Sequence, residues 1–156
     1  MKIGIISDTH NFLDPRVATL FRGVNHIVHA GDIGSDDIIV RLQKTAPVTA
    51  VLGNNDGGLH YKETEALELG GRSFLVHHIV QPTDLLSVIA RRIARNRPDF
   101  LIYGHTHQQA DVTVNGVRFI NPGYAGSPRF GQNRSVAILE LSGSEMILHF
   151  HQLPTE

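Results

Sequence analysis

The sequence predicts an α/β fold of two stacked mixed β-sheets with helices outside them. Three observations carry that expectation. The first half alternates short apolar runs with helical patterns. From residue 63 onward three hairpin signals follow one another, with one helix and one buried strand among them. No linker, repeat or low-complexity tract interrupts the 156 residues, so 1–156 reads as a single domain able to bury a core. The pattern accommodates the stacking of two sheets without dictating it.

Ile3 to Ile6 is a strand with little polar content, as a strand buried on both faces requires. Asp14-Pro15 opens a helix: Asp14 is placed to cap it, and Pro15 needs no amide partner at its first position. Gly23 stops it. His26 to His29 forms the second strand. Ser35 is expected to cap a helix beginning Asp36-Asp37, two acids at the positive end of its dipole. Val48 to Leu52 is the third strand. Glu63–Leu69 and Arg72–His77 form a hairpin across Gly70-Gly71. Asp84 to Arg97 is helical, with Leu85, Leu86, Ile89 and Ile93 as its buried face and Pro98 as its stop. Asp99 to Tyr103 is a buried strand. Two hairpins follow, 112–114 with 117–119 across Asn115-Gly116, and 136–141 with 146–151.

Composition excludes several function classes. The absence of cysteine removes disulfides, thiolate metal sites and cysteine nucleophiles, and fits a reducing compartment. A net charge of −1 gives no global field toward nucleic acid or an anionic membrane. The N-terminus lacks the pattern of a signal peptide, and no apolar run is long enough to span a bilayer. The chain therefore reads as complete and cytoplasmic. Ten histidines are the one excess.

Their placement is informative. Each of five apolar strands runs directly into metal-binding residue types: Asp8-Thr9-His10, Gly31-Asp32, Gly53-Asn54-Asn55-Asp56, His77-His78, and Gly104-His105-Thr106-His107. Residues at the carboxyl ends of parallel strands converge on the crest of a sheet. Asp8, His10, Asp32, Asn54, His77, His105 and His107 are too many donors for one ion that keeps an open position, and sufficient for two ions sharing a carboxylate. Imidazole, carboxylate and amide oxygen suit Mn, Fe, Co, Ni or Zn better than Cu(I), Mg or Ca. Two such ions roughly 3.5–4 Å apart serve hydrolysis at phosphorus.

These ordered blocks, with Asn121-Pro122-Gly123, resemble the calcineurin-like metallophosphoesterases, specifically their small single-domain YfcE-type phosphodiesterase branch, from Met1 to about Pro154. The resemblance implies a four-layer fold with two central sheets. It implies that Asp8, His10 and His107 hold one metal, that Asn54, His77 and His105 hold a second, and that Asp32 bridges. It also implies attack on a small phosphodiester by a metal-bridging hydroxide, with manganese the first choice of metal. Many relatives carry histidine where this chain has Asn55. An amide donates no proton at neutral pH, so good leaving groups are expected to be preferred. The first histidine of His77-His78 aligns with the ligand. His78 is expected to crowd the site or to replace part of the missing acid function, so Asn54, Asn55, His78 and His105 are the candidate catalytic groups.

Other residues take plainer readings. His29 is expected to support the site or pack beside it. His26, His60, His149 and His151 read as surface, sheet-face or loop residues. Arg91, Arg92 and Arg95 read as a solvated helix face rather than a nucleic-acid patch. Arg129 and Tyr124 are placed either to reach substrate phosphate or to lie on the surface. The alternatives to a phosphodiesterase are a protein-interaction scaffold on the same fold, and a phosphomonoesterase, protein phosphatase or nuclease. A homo-oligomer is the family's prior.

Overall fold

The computed structural model describes residues 1–84 and 86–155. Its layering follows from the first strand, β1 (Lys2–Ile6). Ile3 and Ile5 pack on one side with Val28, Phe74, Val76, Phe100 and Ile120. Ile6 packs on the other with Val17, Phe21, Ile38 and Leu42. Both faces are buried, which explains the lack of polar alternation in the run.

β1 is the centre of a five-stranded sheet of order β10-β9-β1-β2-β3. β2 (His26–His29) and β3 (Val48–Ala50) run parallel to it; β9 (Arg134–Ser142) and β10 (Glu145–Leu153) form an antiparallel pair on its other side. α1 (Arg16–Leu20) and α2 (Asp36–Gln43) make the parallel crossovers and cover the outer face. The second sheet has the order β4-β5-β6-β8-β7. Here β5 (Arg72–His77), β6 (Phe100–Ile102) and β8 (Val117–Pro122) are parallel, while β4 (Thr64–Leu69) and β7 (Gln109–Val114) are antiparallel edges. The inner faces of the two sheets share one core. α3 (Val88–Asn96) lies on the outer face of the second sheet, where Ile89 and Ile93 meet Leu75, Leu101 and Phe119. The order helix–sheet–sheet–helix is the expected four-layer sandwich.

This topology positions the site. The parallel strands β1, β2 and β3 end beside β5 and β6 of the second sheet, so five donor-bearing loops open on one crest.

Several local expectations shift. Asp14 does not simply cap α1. Its carboxylate accepts from the Arg16 amide at 3.0 Å but also pairs with the Arg16 and fully buried Arg134 guanidinium groups. Ser35 occupies the cap position of α2, yet its hydroxyl donates to Asn11 Oδ1. β3 ends at Ala50, two residues early: Val51 N–H still donates to His29 C=O at 3.2 Å, but Leu52 N–H turns to Lys62 C=O at 2.8 Å. α3 starts at Val88, four residues later than expected. Asp84 ties its carboxylate to the Leu86 amide, and Ser87 becomes the true cap, accepting from Ala90 N–H at 3.1 Å. Leu86 therefore precedes the helix and is 87% exposed rather than buried; the other expected core position, Leu85, lies outside the described residues. Asn115 and Gly116 both take positive φ (50° and 81°), as a tight two-residue hairpin turn requires.

Candidate metal centre

Five of the seven expected donors stand in left-handed backbone: Asp8 (φ 56°), His10 (45°), Asp32 (52°), His105 (70°) and His107 (59°). None is glycine, and strain of this kind persists only where the surroundings impose it. Here the strand ends impose it. Asp8 N–H donates to Gly31 C=O and His10 N–H to Asp32 C=O, both at 3.0 Å, tying the β1 loop to the β2 loop. Gly104 N–H donates to His78 C=O at 3.0 Å, tying the β6 loop to the end of β5. Two glycines are obligatory because the loops touch. A Cβ at residue 53 would collide with Asp32 Oδ1 and its amide nitrogen. One at residue 104 would collide with Ser7 Oγ and come within 2.6 Å of Asp8 Oδ2.

The donors converge. Asp8, His10 and His107 offer ligand atoms all within 4.8 Å of one another, and so do Asp8, Asp32 and His78. His107 Nε2 lies 3.3 Å from Asp8 Oδ1 and His10 Nε2 lies 3.8 Å from it. Asp8 is common to both groups, and Asp32 Oδ2 also reaches across, 3.7 Å from His10 Nε2 and 3.3 Å from His78 Nε2. At the exposed mouth, His105 Nδ1 and Asn54 Oδ1 are 3.1 Å apart, and the His105 ring is 5.4 Å from that of His78.

Three buried polar atoms in this cluster have no hydrogen-bond partner: Asp8 Oδ1, His10 Nε2 and His78 Nε2. Orphaned polar atoms are costly when buried, and three facing one space fit a cation. Their chemistry also fits. His78 Nδ1 lies 2.7 Å from the Ala30 carbonyl, so Nδ1 carries the proton and Nε2 presents a lone pair toward Asp32. Burial pushes the Asp8 carboxyl up, but the nearby His107 ring, the hydrogen bond from the Ser7 hydroxyl and the nearby His78 outweigh it and hold it below its ordinary value. Asp8 is thus kept as an anion, the form that binds metal.

The structure corrects the reading of the His77-His78 pair. Side chains alternate along β5, so Phe74, Val76 and His78 face the other sheet while Leu75 and His77 face outward. His77 Nδ1 is held by Glu63 C=O and Thr64 Oγ1 at 3.0 and 2.8 Å, away from the cluster. His78, not His77, faces Asp8 and Asp32. Its burial and the Ala30 contact also remove it from the role of a mobile acid. Asn55 is likewise committed: its backbone N–H and side-chain amide both donate to Asp32, at 2.9 Å each.

His29 supports the site as expected. It is fully buried; Nδ1 accepts from Gly31 N–H and Nε2 contacts Thr9 Oγ1. Burial lowers its pKa to about 4, so it is neutral near pH 7. Tyr124 is buried against the site, its ring 4.7 Å from that of His107 and 6.1 Å from that of His10. Arg129 is exposed and lies over the Tyr124 ring at 5.2 Å. Sequence reasoning missed two organisers. Asp56 accepts from the amides of Ile33, Gly34 and Gly53, clamping the β2 and β3 loops together. Asn121 donates to Gly104 C=O and Thr106 Oγ1, holding the loop that carries both distal histidines. Their presence inside the quoted blocks was the only available signal.

Comparisons with known proteins place the chain in a family and a fold. Residues 1–144 match the calcineurin-like phosphoesterase superfamily domain. A probable metallophosphoesterase of Methanothermobacter thermautotrophicus is 34% identical, with 94% of this chain and 89% of that protein covered. The phosphodiesterase MJ0936 of Methanocaldococcus jannaschii is 31% identical, with 79% and 83% covered. Among solved structures, an archaeal phosphodiesterase superposes with a TM-score of 0.80 at 26% identity, covering 98% of this chain and all of that one. A Vps29 single mutant from Entamoeba histolytica superposes at 0.81 with 23% identity, covering 98% and 93%, a likeness of fold alone. The chain belongs to the calcineurin-like phosphoesterase superfamily.

Proposed function

We propose that this chain is a dinuclear-metal-dependent phosphodiesterase acting on small or nucleotide-like phosphodiesters. The observation that carries the reading is the convergence of Asp8, Asp32, His10, His78 and His107 with three orphaned donor atoms facing one space. Asp8, His10 and His107 would hold one ion. His78, Asn54 and His105 would hold the other, with His78 taking the place expected of His77. Asp32, set between His10 and His78, would be shared. Nitrogen and oxygen donors without sulfur fit manganese, with Fe, Zn, Ni or Co as alternatives. When bound, such ions supply Lewis-acid stabilisation of phosphoryl oxygens and lower the pKa of water.

The chain's own residues do the rest. Asn55 fixes the Asp32 carboxylate through two hydrogen bonds. His105, which would hold the second ion, is exposed at the mouth on the side open to substrate. Asn55 cannot protonate an alkoxide, which favours diesters with good leaving groups. The phosphodiesterase name of the M. jannaschii relative supports the substrate class. The Vps29 likeness keeps a scaffold as the competing reading; a zinc complex of Vps29 is among the similar structures, so metal binding alone does not separate the two and turnover does. No helix among the described residues is long and apolar enough to cross a membrane.

The test is turnover of bis(p-nitrophenyl) phosphate by manganese-loaded protein. Hydrolysis that vanishes with chelator and with Asp8→Asn is expected. A metal-loaded protein that turns over neither aryl diesters nor cyclic nucleotides would contradict the reading.

A further inference from the structure

Phe130 is fully exposed, at 110% of its reference area, and follows Arg129, whose guanidinium lies over the Tyr124 ring. It sits at the tip of a turn closed by Gln132 N–H donating to Arg129 C=O at 3.1 Å, with Gly131 at φ 73°. A lone exposed apolar side chain needs no explanation by itself; what sets Phe130 apart is this neighbour, Arg129, packed on Tyr124 at the site.

The turn is rigidly based on the site. Gln132 Nε2 donates to His107 C=O at 3.1 Å. Tyr124 O–H donates to Ser127 C=O at 3.0 Å, and the buried Arg134, anchored by Asp14, donates to Gly126 C=O at 2.6 Å. The neighbouring Arg129 guanidinium lies over Tyr124, whose other neighbours are the His107 and His10 rings. Its Cζ is therefore within about 10 Å of the His107 ring. Among the described residues, no carboxylate pairs with Arg129 and no carbonyl accepts from its side chain. An unpaired, always-charged fork and an unpaired aromatic face thus stand side by side on one rim.

We infer that the 126–131 turn is the substrate-recognition element of this site: Arg129 binds non-bridging phosphate oxygens, and Phe130 stacks on a planar group of the substrate, a nucleobase or aryl ring. Guanidinium and phosphate match in charge and in fork geometry. Base–aromatic stacking is tolerant of sequence and strong enough to direct binding. Arg129 packs on Tyr124 and would meet the phosphate, while the solvent-exposed Phe130 next to it would meet the ester group. The inference rests on the phosphodiesterase reading for its choice of substrate but is separable from it in the experiment.

The experiment titrates manganese-loaded protein with adenosine 5′-monophosphate and with ribose 5-phosphate, by calorimetry. The wild type is expected to bind the nucleotide about tenfold more tightly, the scale of one stacked base. Phe130→Ala removes that preference and leaves ribose 5-phosphate affinity unchanged. Because Phe130 buries nothing, its thermal unfolding stays at the wild-type value. Arg129→Met weakens both ligands by a similar factor, and Arg129→Lys restores only part. The inference is overturned if the wild type shows no preference, or if Phe130→Ala keeps it. The latter is the outcome expected of a protein-docking anchor. Protein that binds with the predicted preference yet hydrolyses no diester retains this inference and loses the phosphodiesterase reading. Protein that hydrolyses diesters while both variants bind like wild type does the reverse.

Discussion

The crest of the sandwich and the α3 flank are built on opposite terms. At the crest, residues 7–10, 29–34, 53–56 and 104–107 are knitted by hydrogen bonds between loops distant in sequence, and five non-glycine residues are held in left-handed backbone. On the flank, α3 has no fully buried side chain, Val88 is 75% exposed and the arginines at 91, 92 and 95 face solvent. Strain and polar orphans are tolerated where many partners over-determine the chain, and they mark the functional end of the molecule. Helix α3 closes one side of a core and little more. Substitutions at the crest should therefore cost function and stability together, whereas those on the flank should cost little of either.

The largest effect is expected at Asp32, a carboxylate that reaches across the two donor groups. Asp32→Ala should lower diester hydrolysis by more than about 100-fold, the upper end of what loss of an outer-shell partner alone costs. Steady-state rates with and without added manganese measure it. Gly53→Ala should reduce stability by about 1–3 kcal/mol in denaturant titration, as overpacking does, and lower metal affinity by displacing Asp32. The corresponding change at an open glycine, Gly57→Ala, should not.

The crest should also respond to pH through His29. Its folded pKa of about 4 lies below the unfolded value of 6.5. The unfolded chain thus binds the extra proton between those values. Stability from the neutral ring is present above pH 6.5 and is lost as pH falls toward 4. Chelator-treated protein should lose about 2 kcal/mol between pH 8 and pH 5, and His29→Gln should flatten that dependence. On the flank, Ser87→Ala should cost about 1 kcal/mol of helix stability, seen as faster amide exchange in α3. Leu86→Ser should fall within about 0.5 kcal/mol of wild type in denaturant titration. A large loss at Leu86 would break the comparison.

Legibility in the sequence divided along the same line. The strands ending at Ile6, His29 and Ile102 were readable because both faces are buried and the apolar runs are unbroken. Their ends carry Asp8, His10, Asp32, His105 and His107 to the crest, and the loop after β3 carries Asn54. His77 and His78 were not separable in this way. Leu75 and Val76 are both buried, so the side of β5 that faces the first sheet leaves no mark in the pattern. The start of α3 was misplaced because Asp84 and Ser87 both offer capping chemistry, and only the folded backbone selects Ser87. The Asp14–Arg134 pair joins residues 120 apart, and no local pattern records it. Phe130 resembles any loop aromatic until the turn that carries it is seen to be tied to the site, by Arg129 over Tyr124 and by Gln132 on His107.

Metal analysis of the His77→Ala and His78→Ala variants tests the central claim most directly. After equilibration with manganese and removal of excess, the account predicts two ions per chain in the wild type and in His77→Ala, which should keep diester hydrolysis within about threefold of wild type. His78→Ala should retain one ion or none and lose hydrolysis. Two ions retained by His78→Ala, with a loss confined to His77→Ala, would contradict the account.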